Sequence, residues 1–86
     1  MKKIFLDDGW KDYLYWQEQD KKTLRRINLL LQDIDRNGYT GIGNPEMLKG
    51  VDGWCSRRIN EKERLIYKID NNTILVAQCR GHYGDH

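Results

Sequence analysis

Three short stretches of this chain carry side chains that could act on a phosphodiester. Pro45-Glu46-Met47-Leu48-Lys49 lies in a mid-chain loop, Arg64-Leu65-Ile66-Tyr67 in a stretch of alternating polarity, and Cys79-Arg80-Gly81-His82-Tyr83 follows close behind. RNA contains its own nucleophile, the 2′-hydroxyl. Cleaving it needs a base for that proton, an acid for the 5′-oxygen leaving group and positive charge for the phosphorane between them. Glu46 is the candidate base. His82 is the candidate acid, because imidazole titrates nearest neutrality. Tyr83 offers a hydrogen bond or a stacking surface, and Arg58 and Arg64 can fork onto non-bridging phosphate oxygens. The scheme calls for no metal and no cofactor. Taken singly, each residue has an ordinary reading: a solvated loop carboxylate, an exposed histidine, a packing tyrosine, arginines paired with Glu61 or Glu63. Only the combination points to chemistry.

The elements that must position these groups can be read from spacing. Lys3 to Leu6 is a short opening strand, and Asp7 or Asp8 can cap the helix after it. Trp10, Tyr13, Leu14 and Trp16 or Gln17 give that helix one apolar face, read as core packing. Asp20 is a second cap, followed by Leu24, Ile27, Leu30, Leu31 and Ile34 at helical spacing, and Asn37-Gly38 closes the second helix. Residues 38–53 are glycine-punctuated and loop-like. Three strands follow, Trp54–Asn60, Glu63–Ile69 and Thr73–Arg80, with turns at Glu61-Lys62 and Asp70-Asn71-Asn72. The order β-α-α-β-β-β predicts an α+β fold, a helical hairpin on one face of a small, mostly antiparallel sheet. The other face is left for ligand. Arg64 points there because Leu65 and Tyr67 point to the helices. Arg58 shares that open face, whereas Arg57 lies with Cys55 and Ile59 and can still reach water if its strand is an edge, so it is counted with Lys49 and Arg58 as a candidate RNA-binding cation.

Composition bounds the rest. A chain of 86 residues predicts one domain over residues 1–86, with a limited core that a partner would help to stabilise. With 33% charged residues and three Trp and five Tyr, it is a foldable composition and not a disordered one. No apolar run is long enough for a membrane span or a signal peptide, so the expectation is a cytoplasmic protein without a membrane partner. Cys55 and Cys79 lack zinc-site spacing and read as small buried residues. Net charge is only +2. Its distribution says more: Arg57, Arg58, Arg64 and Arg80 cluster in the second half, while Asp7, Asp8, Asp12, Glu18 and Asp20 crowd the first, which fits one phosphate-facing side, although charge alone favours an ordinary mixed surface.

The chain resembles the YoeB-type ribosome-dependent mRNA interferases of the RelE toxin superfamily over essentially residues 1–83. The resemblance rests on Trp10-Lys11-Asp12-Tyr13-Leu14-Tyr15-Trp16-Gln17, Gly41-Ile42-Gly43-Asn44-Pro45-Glu46-Met47-Leu48-Lys49, Ser56-Arg57-Arg58-Ile59, Arg64-Leu65-Ile66-Tyr67 and Cys79-Arg80-Gly81-His82-Tyr83, in that order. It implies the fold read above. It implies Glu46 as general base, Arg64 on the scissile phosphate, His82 as acid and Tyr83 as an orienting phenol, with Arg58 and Lys49 binding RNA phosphate. It further implies a toxin of a type II toxin–antitoxin pair that cuts mRNA in the A site of the 70S ribosome. Its partners would be a second copy of itself and a cognate antitoxin of YefM or Axe type, whose disordered tail folds across the toxin. The chain departs from the family in carrying Gly84-Asp85-His86 after Tyr83 and Trp54-Cys55 before Ser56.

Other classes fit less well. A same-fold gyrase inhibitor of the ParE type would not need Glu46, Arg64, His82 and Tyr83 together. A non-catalytic RNA- or ribosome-binding module would bind without cutting. A helix-turn-helix reading fails because residues 21–36 are apolar on one side and carry Asp33 and Asp35 where a recognition helix needs cations.

Overall fold

The computed structural model describes residues 1–81. The chain runs β1 (Lys2–Phe5), α1 (Asp7–Gln19), α2 (Lys21–Asn37), β2 (Glu46–Met47), β3 (Trp54–Arg58), β4 (Arg64–Asp70) and β5 (Thr73–Gln78). The strands form one five-stranded sheet in the order β1-β5-β4-β3-β2. β1 pairs with β5 in parallel, and every other pairing is antiparallel. The α+β arrangement expected from the sequence is therefore present, with one strand more. β2 has no signature in the sequence, because it is two residues long and exists only through its pairing with β3.

Local chemistry explains α2. The Asp20 carboxylate accepts hydrogen bonds from the backbone N–H groups of Lys22 and Thr23, at 3.1 and 3.3 Å, and from the Thr23 hydroxyl at 2.7 Å. These satisfy donors that a helix start leaves unpaired. Ile27, Leu30, Leu31 and Ile34 recur at helical spacing and are all buried against the sheet. Each such burial contributes about 1.5–3 kcal/mol. Gly38 ends the helix at φ +68°, a conformation glycine takes without penalty. On the sheet, Cys55, Leu65, Tyr67, Ile74, Val76 and Cys79 complete the core.

α1 is seated differently from what its periodicity suggests. It starts without a side-chain cap, Asp7 and Asp8 falling inside its first turn. Trp10 is 47% and Leu14 40% exposed, so these residues are not core. The one buried residue of α1 is Gly9. A β-carbon there would fall inside the van der Waals shell of the Val76 carbonyl oxygen. The helix thus rests directly on the β5 backbone, while Tyr13 and Trp16 of the expected apolar face, partly buried, pack against the core beside that contact. Asp12 accepts from the Cys79 N–H at 3.0 Å, and the Trp16 indole N–H donates to the Cys79 carbonyl at 2.8 Å. α1 consequently fixes where the chain leaves β5. No helix among the described residues is long and apolar enough to cross a membrane.

Candidate active site on the open sheet face

Residues directly opposite in an antiparallel ladder point to the same face. The pairings Glu46 with Ser56, Ser56 with Ile66, and Ile66 with Gln78 therefore make one row across β2, β3, β4 and β5, on the face away from the helices. The next row along contains the pair Arg58 and Arg64. Neighbouring strands lie about 4.8 Å apart and alternate residues about 6.7 Å apart along a strand, so the backbones of Glu46 and Arg64 are separated by about 12 Å. Side chains of their length can close on one phosphodiester from two sides.

Glu46 is exposed, and its Oε1 accepts from the Asn44 side-chain amide at 3.0 Å. Asn44 itself has φ +51°, which Asn tolerates better than most residues. Lys49 and Arg58 are exposed, and Arg64 is half-buried with Nη1 donating to the Asn60 carbonyl at 3.3 Å. Among the described residues neither Arg58 nor Arg64 enters an ion pair. Glu63, a candidate partner on sequence grounds, instead accepts from the Gly81 N–H at 2.9 Å. The Arg64 N–H donates to the Gly81 carbonyl at 2.9 Å. The Arg80 guanidinium lies 3.6 Å from the centroid of the Tyr15 ring. Helix α1 and the start of β4 thus deliver the chain beyond Gly81 from a point beside Arg64. His82 and Tyr83, like Gly84-Asp85-His86, lie outside the described residues.

Arg57 corrects the sequence reading. It is 0% exposed, because β2 covers the side of β3 that would have been an edge and residues 38–44 wrap its guanidinium. Nη1 donates to Asp33 Oδ2 at 2.6 Å and to the Ile42 carbonyl at 3.0 Å. Nη2 donates to the carbonyls of Gly38 and Thr40 at 2.9 and 2.6 Å, and Nε donates to the Tyr67 hydroxyl at 3.0 Å. All five N–H donors of the guanidinium are consumed inside the protein. No donor remains for RNA, so Arg57 leaves the RNA-binding set. Its signal in the sequence was a charge on the strand face shared with Cys55 and Ile59.

Sequence reasoning missed what Arg57 does for Glu46. Its side chain gathers the carbonyls of residues 38–42, the Asp33 carboxylate also accepts from the Ile42 N–H at 3.1 Å, and the N–H of neighbouring Arg58 donates to the Gly43 carbonyl at 2.6 Å. Ser56, on its other side, pairs with Glu46. One tripeptide of β3 therefore holds the whole approach to the carboxylate. Hydrogen bonding from Arg57 keeps the Asp33 carboxyl below the usual carboxylate range. Burial, with a hydrogen bond to Cys55, pushes the Tyr67 phenol well above its ordinary value, so it is a neutral donor to the Gly38 carbonyl at 3.0 Å.

The open face is not bare. Ile66 is 2% exposed there and forms the floor of a depression of about 140 Å³ lined by Leu48, Val51, Trp54, Ile66, Ala77 and Gln78. Among the described residues no three His, Cys, Asp or Glu side chains cluster as a metal site.

Comparison with known proteins gives concordant matches. The family described as the YoeB-like toxin of bacterial type II toxin-antitoxin system matches residues 5–83. Toxin YoeB of Escherichia coli (strain K12) is 46% identical over 84 residues, covering 96% of this chain and 100% of that protein. The YoeB dimer from Staphylococcus aureus superposes with TM-score 0.92 at 47% identity, covering 96% of this chain and 98% of that one. The YoeB-YefM complex from Staphylococcus aureus gives 0.90 at 46% identity, with the same 96% and 98% coverage.

Proposed function

The chain belongs to the YoeB-like toxins of bacterial type II toxin–antitoxin systems, and from that membership we propose that it is a ribosome-dependent endoribonuclease that cuts mRNA in the ribosomal A site. The observation that carries this reading is the shared face: Glu46 stands one ladder row from the paired guanidiniums of Arg58 and Arg64. Glu46 takes the proton of the 2′-hydroxyl. The freed oxygen attacks the adjacent phosphorus, and Arg64 and Arg58, with Lys49 at the rim, take up the charge that develops on the non-bridging oxygens. The P–O5′ bond breaks as His82 gives its proton to the departing 5′-oxygen, with Tyr83 orienting the phosphate. The products are a 2′,3′-cyclic phosphate, which water opens to a 3′-phosphate, and a 5′-hydroxyl end. Every proton transferred has a side chain to carry it, so the scheme runs without a metal or cofactor.

The solved YoeB–YefM complex and YoeB dimer of Staphylococcus aureus support a cognate antitoxin and a second copy of the chain as its partners. An antitoxin tail laid across the open face would cover Glu46 and Arg64 together.

Primer extension on one translated message, with purified protein and with or without ribosomes, tests the reading. The expected result is a cut only where ribosomes are present. Glu46→Ala and Arg64→Ala should slow it by about 10²–10⁴-fold while ribosome binding persists. Cleavage by both variants at the unsubstituted rate would overturn it.

A further inference from the structure

We propose that the depression beside Glu46 holds the base of the nucleotide whose 2′-hydroxyl attacks, and that Gln78 reads that base's edge. The inference rests on the nuclease reading above and names a specificity residue for it.

The argument is one of order. Along the strand direction the open face presents Arg58 and Arg64, then the row of Glu46, Ser56, Ile66 and Gln78, then Trp54 with Leu48, whose N–H donates to the Trp54 carbonyl at 2.9 Å. The nucleotide on the 5′ side of a cleaved bond has the same sequence of parts: scissile phosphate, ribose with its 2′-hydroxyl, base. With the phosphate on the guanidiniums and the hydroxyl at Glu46, the base falls where the depression lies. Its volume of about 140 Å³ suits a single ring system and not a drug-sized ligand.

The walls have the chemistry of a nucleobase site. Ile66 gives an apolar floor and Trp54 an aromatic wall, and bases of single-stranded RNA are held by stacking on such surfaces. Gln78 offers one carboxamide with both a donor and an acceptor, the pairing a base edge requires. The sheet irregularity opposite Ile66 and Tyr67 leaves Ala77 without a partner, and Ala77 and Gln78 both line the depression. Charge favours a polyanion over an apolar protein side chain as the occupant. Arg58 and Arg64 flank the depression on one side, and Lys68 does so on the other, its ammonium 6.0 Å from the Trp54 ring centroid.

The test is cleavage of translated transcripts that vary the base 5′ to the cut, by the full chain and by Gln78→Leu and Trp54→Leu. The unsubstituted protein should use the four bases unequally. Gln78→Leu should flatten that preference by about tenfold while still cutting its poorest base. Trp54→Leu should lower kcat/KM for all four bases alike. Gln78 is half-exposed, so its variant is read even if Trp54→Leu fails to fold. A base distribution unchanged by Gln78→Leu, with or without weakened antitoxin binding, overturns the inference and leaves the nuclease reading standing. So does an unsubstituted protein indifferent to the base. Absence of any cleavage by the unsubstituted protein removes both.

Discussion

The Arg57 guanidinium and the Asp33 carboxylate meet at 2.6 Å between β3 and the last turns of α2, and the segment that carries Glu46 is wound around their contact. A cation that looks like an RNA ligand is instead the support of the proposed base.

Removing that support should therefore cost activity as well as stability. Arg57→Met removes the cation facing Asp33 and strips the Thr40 and Ile42 carbonyls of their side-chain donor, a loss on the order of 3 kcal/mol. Asp33→Asn is the milder variant. It should stay folded, bind ribosomes normally and lower kcat with little change in KM, because the Glu46 carboxylate is displaced and the cationic surface is not. Steady-state kinetics on a ribosome-bound message read this. Unchanged kcat in a folded Asp33→Asn protein would show that the contact serves stability alone.

Acid should release the same segment. The Arg57 hydrogen bond holds the folded-state pKa of Asp33 below its unfolded value, and hydrogen bonds from Thr23 do the same for the Asp20 cap. Groups shifted in this direction contribute stability that is complete above the unfolded pKa of about 3.9 and is lost as pH falls through the folded one. Asp12 runs the other way: burial raises its pKa, so its contribution is complete below the unfolded value and fades as pH rises through the folded one. Urea midpoints measured from about pH 6 down to pH 2 should fall, and the gap between the unsubstituted protein and Asp33→Asn should close towards the acid end. A gap constant across that range would contradict the assignment.

Gly9→Ala should be destabilising although alanine is the better helix former. The added methyl meets the Val76 carbonyl, so α1 must lift from β5. Overpacking of this kind costs about 1–3 kcal/mol, which lowers the melting temperature by about 4 °C or more in a domain of this size. Calorimetry on the single variant decides it, and an unchanged or higher Tm would show that the helix shifts freely.

Both cysteines should be inert while the protein is folded. Cys55 and Cys79 are free and buried, and burial together with Asp12 and Glu63 pushes the Cys79 thiol up to about 12. The thiolate is the reactive form. A colorimetric disulfide reagent at pH 8 should therefore label neither cysteine in the native protein and both in denaturant. Fast labelling of the native protein would reveal an opening that the packed core does not suggest.

Where local chemistry decides, the sequence was legible. Asp20 and Gly38 mark the ends of α2 because a cap and a left-handed turn depend on a few neighbouring residues. Arg64 was placed correctly on the open face by simple alternation with Leu65 and Tyr67. Apart from the Asp7/Asp8 cap, which is local, the failures are long-range. β2 is specified by its partner strand, so the row that joins Glu46 to Ser56 had no signature of its own. Alternation gives Arg57 its face but not its surroundings, since nothing near it in sequence announces β2 or the returning carbonyls of residues 38–42. The helical spacing of α1 brings Tyr13 and Trp16 onto the core and leaves Trp10 and Leu14 exposed, because the closest approach to the sheet is made by Gly9, the residue with least to show in any hydrophobicity pattern.

The parallel pairing of Lys2–Phe5 with Thr73–Val76 has a further consequence. The two strands stand far apart in the described chain, so an emerging polypeptide cannot complete its sheet until Thr73–Val76 has been synthesised. At about 5–20 residues per second the opening strand waits several seconds for its neighbour. The seat of α1 on β5, and with it the placement of Gly81 beside Arg64, waits equally long. Such a topology builds a delay into the molecule, an interval in which the unfinished chain has no assembled sheet to present.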